Sequence, residues 1–337
     1  RFRPFFIREK VIDAIRAYFK SKGFHEVETP KLLPQPSSEP FLEVFETQLK
    51  FAEGDTHRAF LPSSPEFSLK KLLSVGIGSC FEICKSFRNG EGRSSRHNPE
   101  FTILEWYHTP GNYTDVMRDT EELFQSIHKT VFGKKNPNFA LPYQGKIYSL
   151  QSPWDRISVA QAFQKFANIN TETLLSAEKL LAAGRKKGYT VEADTTWEQL
   201  YNQIMFNEIE PHLGNETPVF VYDFPARMTS LSRLCDRDNR YAERFELYVG
   251  GLELANAFGE LVDAKEQKKR LEEDKNKRKA LKKETWPVDP DFIAALASGI
   301  PEASGIALGV DRMVLLFTEA YDINETIFQS VKDQIVE

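Results

Sequence analysis

Four apolar, strand-like runs of this chain carry polar or charged residues that a buried strand cannot leave unpaired. Arg88 follows "FEICKSF", Glu105 sits inside "FTILEWY", Glu253, Asn256 and Glu260 punctuate "LELANAFGEL", and Arg312 follows "IALGVD". A lone charge in such a place is costly to bury. One of them reads as a structural salt bridge. Four in one chain point to a shared polar floor, on which distant strands lie side by side.

The rest of the pattern supplies those strands and the helices that cover them. "REKVIDAIRAYFKSKGF" spaces Val11, Ile12, Ile15 and Phe19 as a helix does, with Gly23 as its stop. "HEVETP" reads as a short strand closed by Pro30, and "LPQPSSEP" as a loop. "PEFSLKKLLSVG" starts on Pro65 and ends on Gly76, as a helix should. "FEICKSF" and "EFTILEWY" flank a short polar loop and predict an antiparallel hairpin. Its tip gathers Arg88, Arg93, Arg96 and His97 with Glu91 and Glu100, and is either a solvated turn or a grip for an anion. A helix is expected over about 114–131. Residues from about 137 to 215 carry amphipathic segments and no obvious strand pair, which reads as a helical insertion in a single catalytic domain spanning 1–337. "RYAERFELYVGGLELANAF" reads as two strands joined at Gly250-Gly251. "DAKEQKKRLEEDKNKRKALKKE" is a charge-dense helix, either a solvated face or a contact for nucleic acid. "GIALGVDRMVLLFT" is a strand turning into a helix.

Several function classes drop out. The net charge of −5 offers no global basic field for nucleic acid. Cys80, Cys84 and Cys235 make neither a disulfide framework nor a zinc spacing, and are expected to be reduced, buried thiols. No run approaches the ~20 apolar residues of a membrane span, and no signal-peptide pattern is visible, so a cytoplasmic protein without membrane partners is expected. There is no G-x-x-x-x-G-K-[ST] loop and no dinucleotide glycine fingerprint. A nucleotide would therefore be held by side chains on a sheet.

The charges suggest what that floor holds. Arginines grip phosphate and carboxylate bidentately and stack on aromatic planes. The acids Glu253 and Glu260 suit a hard divalent cation that bridges phosphates. Seven residues apart in a strand they face opposite ways, so the strand must bend or end between them, near Gly259. Glu66, Glu260 and the phenol of Tyr107 suit a substrate ammonium group instead. Together these fit ATP, Mg²⁺ and a cationic amino acid.

At this point the chain resembles a known family. "GFHEVETP" is similar to motif 1 of class II aminoacyl-tRNA synthetases, "FRN…RHNPEFTILEWY" to motif 2 and "GIALGVDRMVLLF" to motif 3. "SPEFSLKKLL", "HNPEFT" and "ELANAFGEL" resemble the lysine-specific core. Motif 1 begins within the first 30 residues, where lysyl-tRNA synthetases have an anticodon-binding domain first. That arrangement, with "EWY", "ELAN" and "ALGVDR", resembles the elongation factor P–lysine ligases. The resemblance implies an α+β fold, an antiparallel sheet of about six or seven strands flanked by helices, and a homodimer through motif 1. It implies adenylation of lysine, typically (R)-β-lysine, and transfer to a lysine of elongation factor P, with tRNA not expected as a partner.

The same resemblance implies roles by position. Arg88 would hold the α-phosphate and the substrate carboxylate. Phe101 and Arg312 would sandwich the adenine, and Asn98, Asn89 and Glu91 would contact ATP from the motif 2 loop. Glu253 would face Mg²⁺ and phosphates, with Leu254 and Gly309 lining the nucleotide site. Ser64, Pro65, Glu66, Tyr107, Asn256 and Glu260 would line the amino-acid pocket. There are departures. The motif 2 loop is one residue longer than the common pattern, and Gly90 displaces the usual acid so that Glu91 fills its place. Ala257 replaces a common glycine. Ala307 stands where lysyl-tRNA synthetases usually have glycine, and an added methyl at a pocket wall is worth about 1–3 kcal/mol of discrimination. Two other readings are a lysyl-tRNA synthetase core and an inactive regulatory paralogue. Such paralogues usually lose ATP-contacting residues, whereas Arg88, Glu253 and Arg312 are all present.

Overall fold

The computed structural model describes residues 2–36, 39–91, 94–133, 136 and 138–334. Its centre is a nine-stranded sheet. Six strands run antiparallel in the spatial order β4 (Cys80–Phe87), β5 (Glu100–His108), β13 (Ser304–Gly309), β12 (Leu252–Gly259), β11 (Asp238–Val249) and β9 (Val219–Pro225). Short parallel strands close the edges: β1 (His25–Glu26) beside β4 and β8 (Asp155–Ser158) beside β9. A short β10 (Leu234–Cys235) also pairs with β11, and β2 (Phe45–Lys50) pairs with β3 (Thr56–Leu61) in a separate hairpin.

Both expected hairpins form. β4 and β5 pair from Cys80–Tyr107 to Phe87–Glu100. β11 and β12 are joined by Gly250 and Gly251 at φ 59° and 73°, a turn with two positive-φ residues that matches the strand twist and favours glycine. Alternation then sorts the side chains. Leu104, Trp106, Ile306, Leu308, Ala255 and Ala257 enter the main core. Their neighbours Phe101, Ile103, Glu105, Tyr107, Gly305, Ala307, Gly309, Asn256 and Phe258 face the other way, and this second face is the polar floor.

Helices close both faces. On the core side lie α1 (Arg3–Ser21), α3 (Tyr113–Phe132) and α10 (Val310–Thr318), whose Val11, Ile15, Phe19, Phe124, Val314 and Phe317 are buried together. On the floor side α2 (Glu66–Ser74), α8 (Ala264–Ala280) and α9 (Pro290–Ser298) pack through Leu69, Leu73, Leu271, Phe292 and Leu296. The charge-dense α8 is not wholly solvated: Gln267, Leu271, Asp274 and Arg278, at helical spacing, are buried.

The span from 137 to 215 departs from its expectation. It opens with a hairpin, β6 (Ala140–Tyr143) and β7 (Lys146–Ser149), then β8. Gln144 and Gly145 make a two-residue turn at φ 48° and 74°. Strands of four residues are too short for alternation to reveal them. The helices α4 (Val159–Ala167), α5 (Thr171–Leu175), α6 (Ala177–Lys186) and α7 (Trp197–Ile204) follow, around a second core with Phe163, Trp197 and Leu200. The three cysteines are free, and burial pushes the Cys80 thiol up to about 12. Among the described residues no helix is long and apolar enough to cross a membrane.

Candidate active site

A cavity of about 940 Å³ opens on the polar face of the sheet. Of the residues singled out above, Ser64, Glu66, Arg88, Glu91, Asn98, Phe101, Glu253, Leu254, Asn256, Ala307, Gly309 and Arg312 line it. Tyr107 and Glu260 lie buried beneath its floor. Pro65 sets the start of α2. Asn89 turns away: its Oδ1 accepts from the Gly90 amide at 2.9 Å, inside its own turn.

One end is built for an anion and a flat ring. Arg88 leaves β4 with its guanidinium 5.1 Å from the centre of the Phe101 ring, and its Nε is buried without a hydrogen-bond partner among the described residues. The Nδ2 of the buried Asn98 is likewise unpartnered. Arg312, at the start of α10, donates to the Glu253 carbonyl at 2.6 Å and to His97 Nε2 at 2.9 Å. Arginine can only donate, so His97 Nε2 accepts and its Nδ1–H donates to Ser94 Oγ at 2.8 Å. His97 is therefore neutral, and burial with the Arg312 charge holds it below the ordinary histidine range. A Cβ on Gly309 would meet nothing closer than the Arg312 side chain at 3.7 Å, so the glycine leaves open space at the cavity wall beside Arg312. The hairpin tip does not converge as a cluster of free arginines. Arg96 donates to the Gly251 carbonyl at 3.1 Å, which ties the loop to the β11–β12 turn. Arg93 lies outside the described residues.

The other end is acidic, and behind Glu66 its charged groups are buried. Lys70, four residues after Glu66 and so on the same face of α2, places its ammonium 2.6 Å from both Glu66 and Glu260. Burial works against that charge, but the Glu260 and Glu66 carboxylates outweigh it and hold Lys70 above the ordinary lysine range. Burial pushes the Glu260 carboxyl up to about 7, with Lys70 opposing and Glu66 adding. Glu105 is buried in the same group. Its Oε1 accepts from the Tyr107 hydroxyl at 3.0 Å, and its Oε2 is buried with no partner among the described residues. Burial, with Glu66 nearby, holds Glu105 well above the carboxylate range. A Cβ on Gly305 would overlap the Tyr107 ring and the Glu260 carboxylate, so only glycine lets β13 pass this close.

A third group lies toward the β11–β12 turn. The register steps from Leu247–Ala255 to Tyr248–Glu253, so Leu254 is an extra residue, a bulge. The bulge reverses the alternation and brings Glu253 to the face that carries Asn256. The break in the strand is thus at Leu254, not near Gly259. It does not unite Glu253 with Glu260. They stand at opposite ends of β12, about 20 Å apart at about 3.3 Å per residue, and the expectation that they share one cation is corrected. Glu246, opposite Asn256 on the adjacent strand, and Glu210 are the acids whose charges act with that of Glu253. Burial pushes Glu246 up to about 7, with Arg244 opposing and Glu253 adding. Tyr248 donates to Glu246 at 2.8 Å, and Arg244 bridges Glu246 at 2.7 Å and Asn256 at 2.9 Å. Among the described residues no three acidic, histidine or cysteine ligands form a cage. Two carboxylates suit an ion that keeps water or phosphate oxygens as its other ligands, as Mg²⁺ does.

Sequence reasoning missed Lys70, Gly305, Arg244 and Glu246, and noted Glu105 only as a buried charge without a role. The i,i+4 spacing of Glu66 and Lys70 was a usable signal. "RFE" inside an apolar strand was another.

The model of the tRNA synthetases class II (D, K and N) matches residues 3–331. Proteins named elongation factor P–(R)-β-lysine ligase from Salmonella paratyphi A, Salmonella heidelberg and Salmonella agona are each 38% identical over 329 residues, covering 95% of this chain and 92% of their own length. The chain therefore belongs to the class II tRNA synthetases (D, K and N), in the company of the elongation factor P–(R)-β-lysine ligases.

Proposed function

We propose that this enzyme activates lysine, in the (R)-β form, as an adenylate and transfers it to a lysine side chain of elongation factor P. The observation that carries the reading is the Glu105 Oε2, which has no hydrogen-bond partner among the described residues and is buried behind the cavity wall, beside Glu66 and opposite Ala307, both of which line the cavity with Arg312. A buried carboxyl without a partner is costly and is satisfied by an ammonium group. Tyr107 orients it, and Glu66 and Glu260 add negative potential.

In the first step the lysine carboxylate attacks the α-phosphorus of ATP, and pyrophosphate leaves. The protein supplies position and charge rather than a covalent partner. Arg88 draws together the attacking carboxylate and the α-phosphate, and its unpartnered Nε is free to donate to them. Phe101 and Arg312 hold the adenine between a ring and a guanidinium plane, and Asn98 Nδ2 donates to the nucleotide. Glu246 and Glu253 would hold Mg²⁺, which neutralises phosphate charge when bound. In the second step the acceptor amine attacks the acyl carbonyl and AMP leaves. The reading includes a single catalytic domain with an insertion over 137–215, a homodimer through motif 1 at residues 23–30, and a cytoplasmic place of work.

The test is ATP–pyrophosphate exchange with α-lysine and (R)-β-lysine, then mass analysis of added elongation factor P and tRNA(Lys). Exchange with mass added to the protein is expected. Mass on tRNA instead would make this a tRNA-charging enzyme, and no exchange with either lysine would point to an inactive paralogue.

A further inference from the structure

Arg8, on α1, does not line the cavity, yet it is tied to both sides of the nucleotide slot. Its Nη1 donates to Asp311 Oδ1 at 2.6 Å and its Nη2 to Thr102 Oγ1 at 2.7 Å. The other Asp311 oxygen accepts from the Thr102 amide at 2.7 Å. Thr102 follows Phe101, and Asp311 precedes Arg312. Asp311 is buried, and the Arg8 side chain is only 20% exposed.

The place of this triad in the sheet gives it a purpose. The pairing of β5 with β13 ends at Ile103–Gly309, because the chain turns into α10 at Val310. Beyond that point no strand ladder fixes Phe101 against Arg312. The Asp311 carboxylate takes over from the missing ladder by accepting the Thr102 amide. A buried carboxylate with one amide donor remains under-neutralised, and Arg8 completes it. The planar guanidinium spans two acceptors at a fixed angle, which a lysine ammonium does not reproduce.

We propose that Arg8 is a positioning residue for the nucleotide: it sets the gap between Phe101 and Arg312 from outside the cavity. The inference rests on the reading that these two residues hold ATP. The experiment is calorimetric titration of the full chain with ATP, for wild type, Arg8→Met, Arg8→Lys and Thr102→Val, with lysine KM from pyrophosphate exchange and thermal unfolding alongside. Arg8→Met is expected to weaken ATP binding about tenfold, what one hydrogen bond to a charged group is worth, and to leave lysine KM within about twofold. Arg8→Lys recovers only part of the loss. Thr102→Val, which keeps the amide bond to Asp311, weakens ATP by about threefold.

A folded Arg8→Met that binds ATP within twofold of wild type would overturn the inference. So would equal weakening of ATP and lysine, the mark of a general loss of structure. If Arg8→Met does not fold, Thr102→Val decides, and unchanged ATP affinity there overturns the inference. A wild-type chain that binds no ATP would overturn the underlying reading, and this one with it.

Discussion

Replacing Lys70 by methionine removes the ammonium that pairs with Glu66 and Glu260 in a group that also holds Glu105. Lys70 stands 2.6 Å from Glu66 and 2.6 Å from Glu260, with side-chain exposures of 2%, 15% and 3% for Lys70, Glu66 and Glu260. Taking one partner from a buried ion pair costs about 3–5 kcal/mol, because the other charge stays buried without compensation. That is a large share of the roughly 5–15 kcal/mol that holds a typical protein together. The cost depends on pH. Glu260 is raised from 4.5 to about 7 in the folded protein even with Lys70 opposing. An acid raised in this way stabilises the fold fully below its unfolded value, and that stability is lost as pH rises through the folded value. Without Lys70 the acids hold a proton that the wild type releases near 7. Each pH unit above that point then costs about 1.4 kcal/mol per proton, so the destabilisation by Lys70→Met is about 2 kcal/mol greater at about pH 8.5 than at about pH 5.5. Urea unfolding of wild type, Lys70→Met and Lys70→Arg at the two pH values measures this. A destabilisation below about 1 kcal/mol, or one equal at both pH values, would refute the reasoning.

Gly305→Ala forces a methyl into the Tyr107 ring and the Glu260 carboxylate; a loss of about 1–3 kcal/mol in stability is expected in thermal unfolding, with lysine KM raised and ATP KM unmoved. Ala307→Gly opens the cavity wall and is expected to shift the preference from β-lysine toward α-lysine by about tenfold, within the 1–3 kcal/mol that one methyl commands, in competitive exchange assays. His97 must be neutral to accept from Arg312, and burial with the Arg312 charge holds it below the ordinary histidine range. ATP KM is therefore expected to stay flat as pH falls through the ordinary histidine range and to rise only below it. His97→Gln, whose carbonyl accepts at any pH, removes the rise.

Much of the sheet was legible because its signals are local. Alternation in "EFTILEWY" and "GIALG" puts Glu105 with Tyr107, and Gly305 with Ala307, on one face whatever lies opposite. Gly250-Gly251 prescribes its own turn. Three separated motifs with matching chemistry were enough to anticipate a nucleotide and a cationic amino acid on one floor. The hairpin of β6 and β7 escaped because four-residue strands carry too few periods to stand out.

The amino-acid sequence by itself determined which residues face which way along each strand, and the motifs that name the family. Only the tertiary structure decided which of those residues meet. The bulge at Leu254 exists in the pairing of β12 with β11, and the charge of Glu253 acts with that of Glu246 rather than Glu260. Lys70 finds Glu260, and Arg8 reaches Thr102 and Asp311 across 94 and 303 residues of chain. Period and propensity describe a few turns or a few strand residues at a time. Partners at such separations are chosen by packing, when burial leaves each charge no other way to be satisfied.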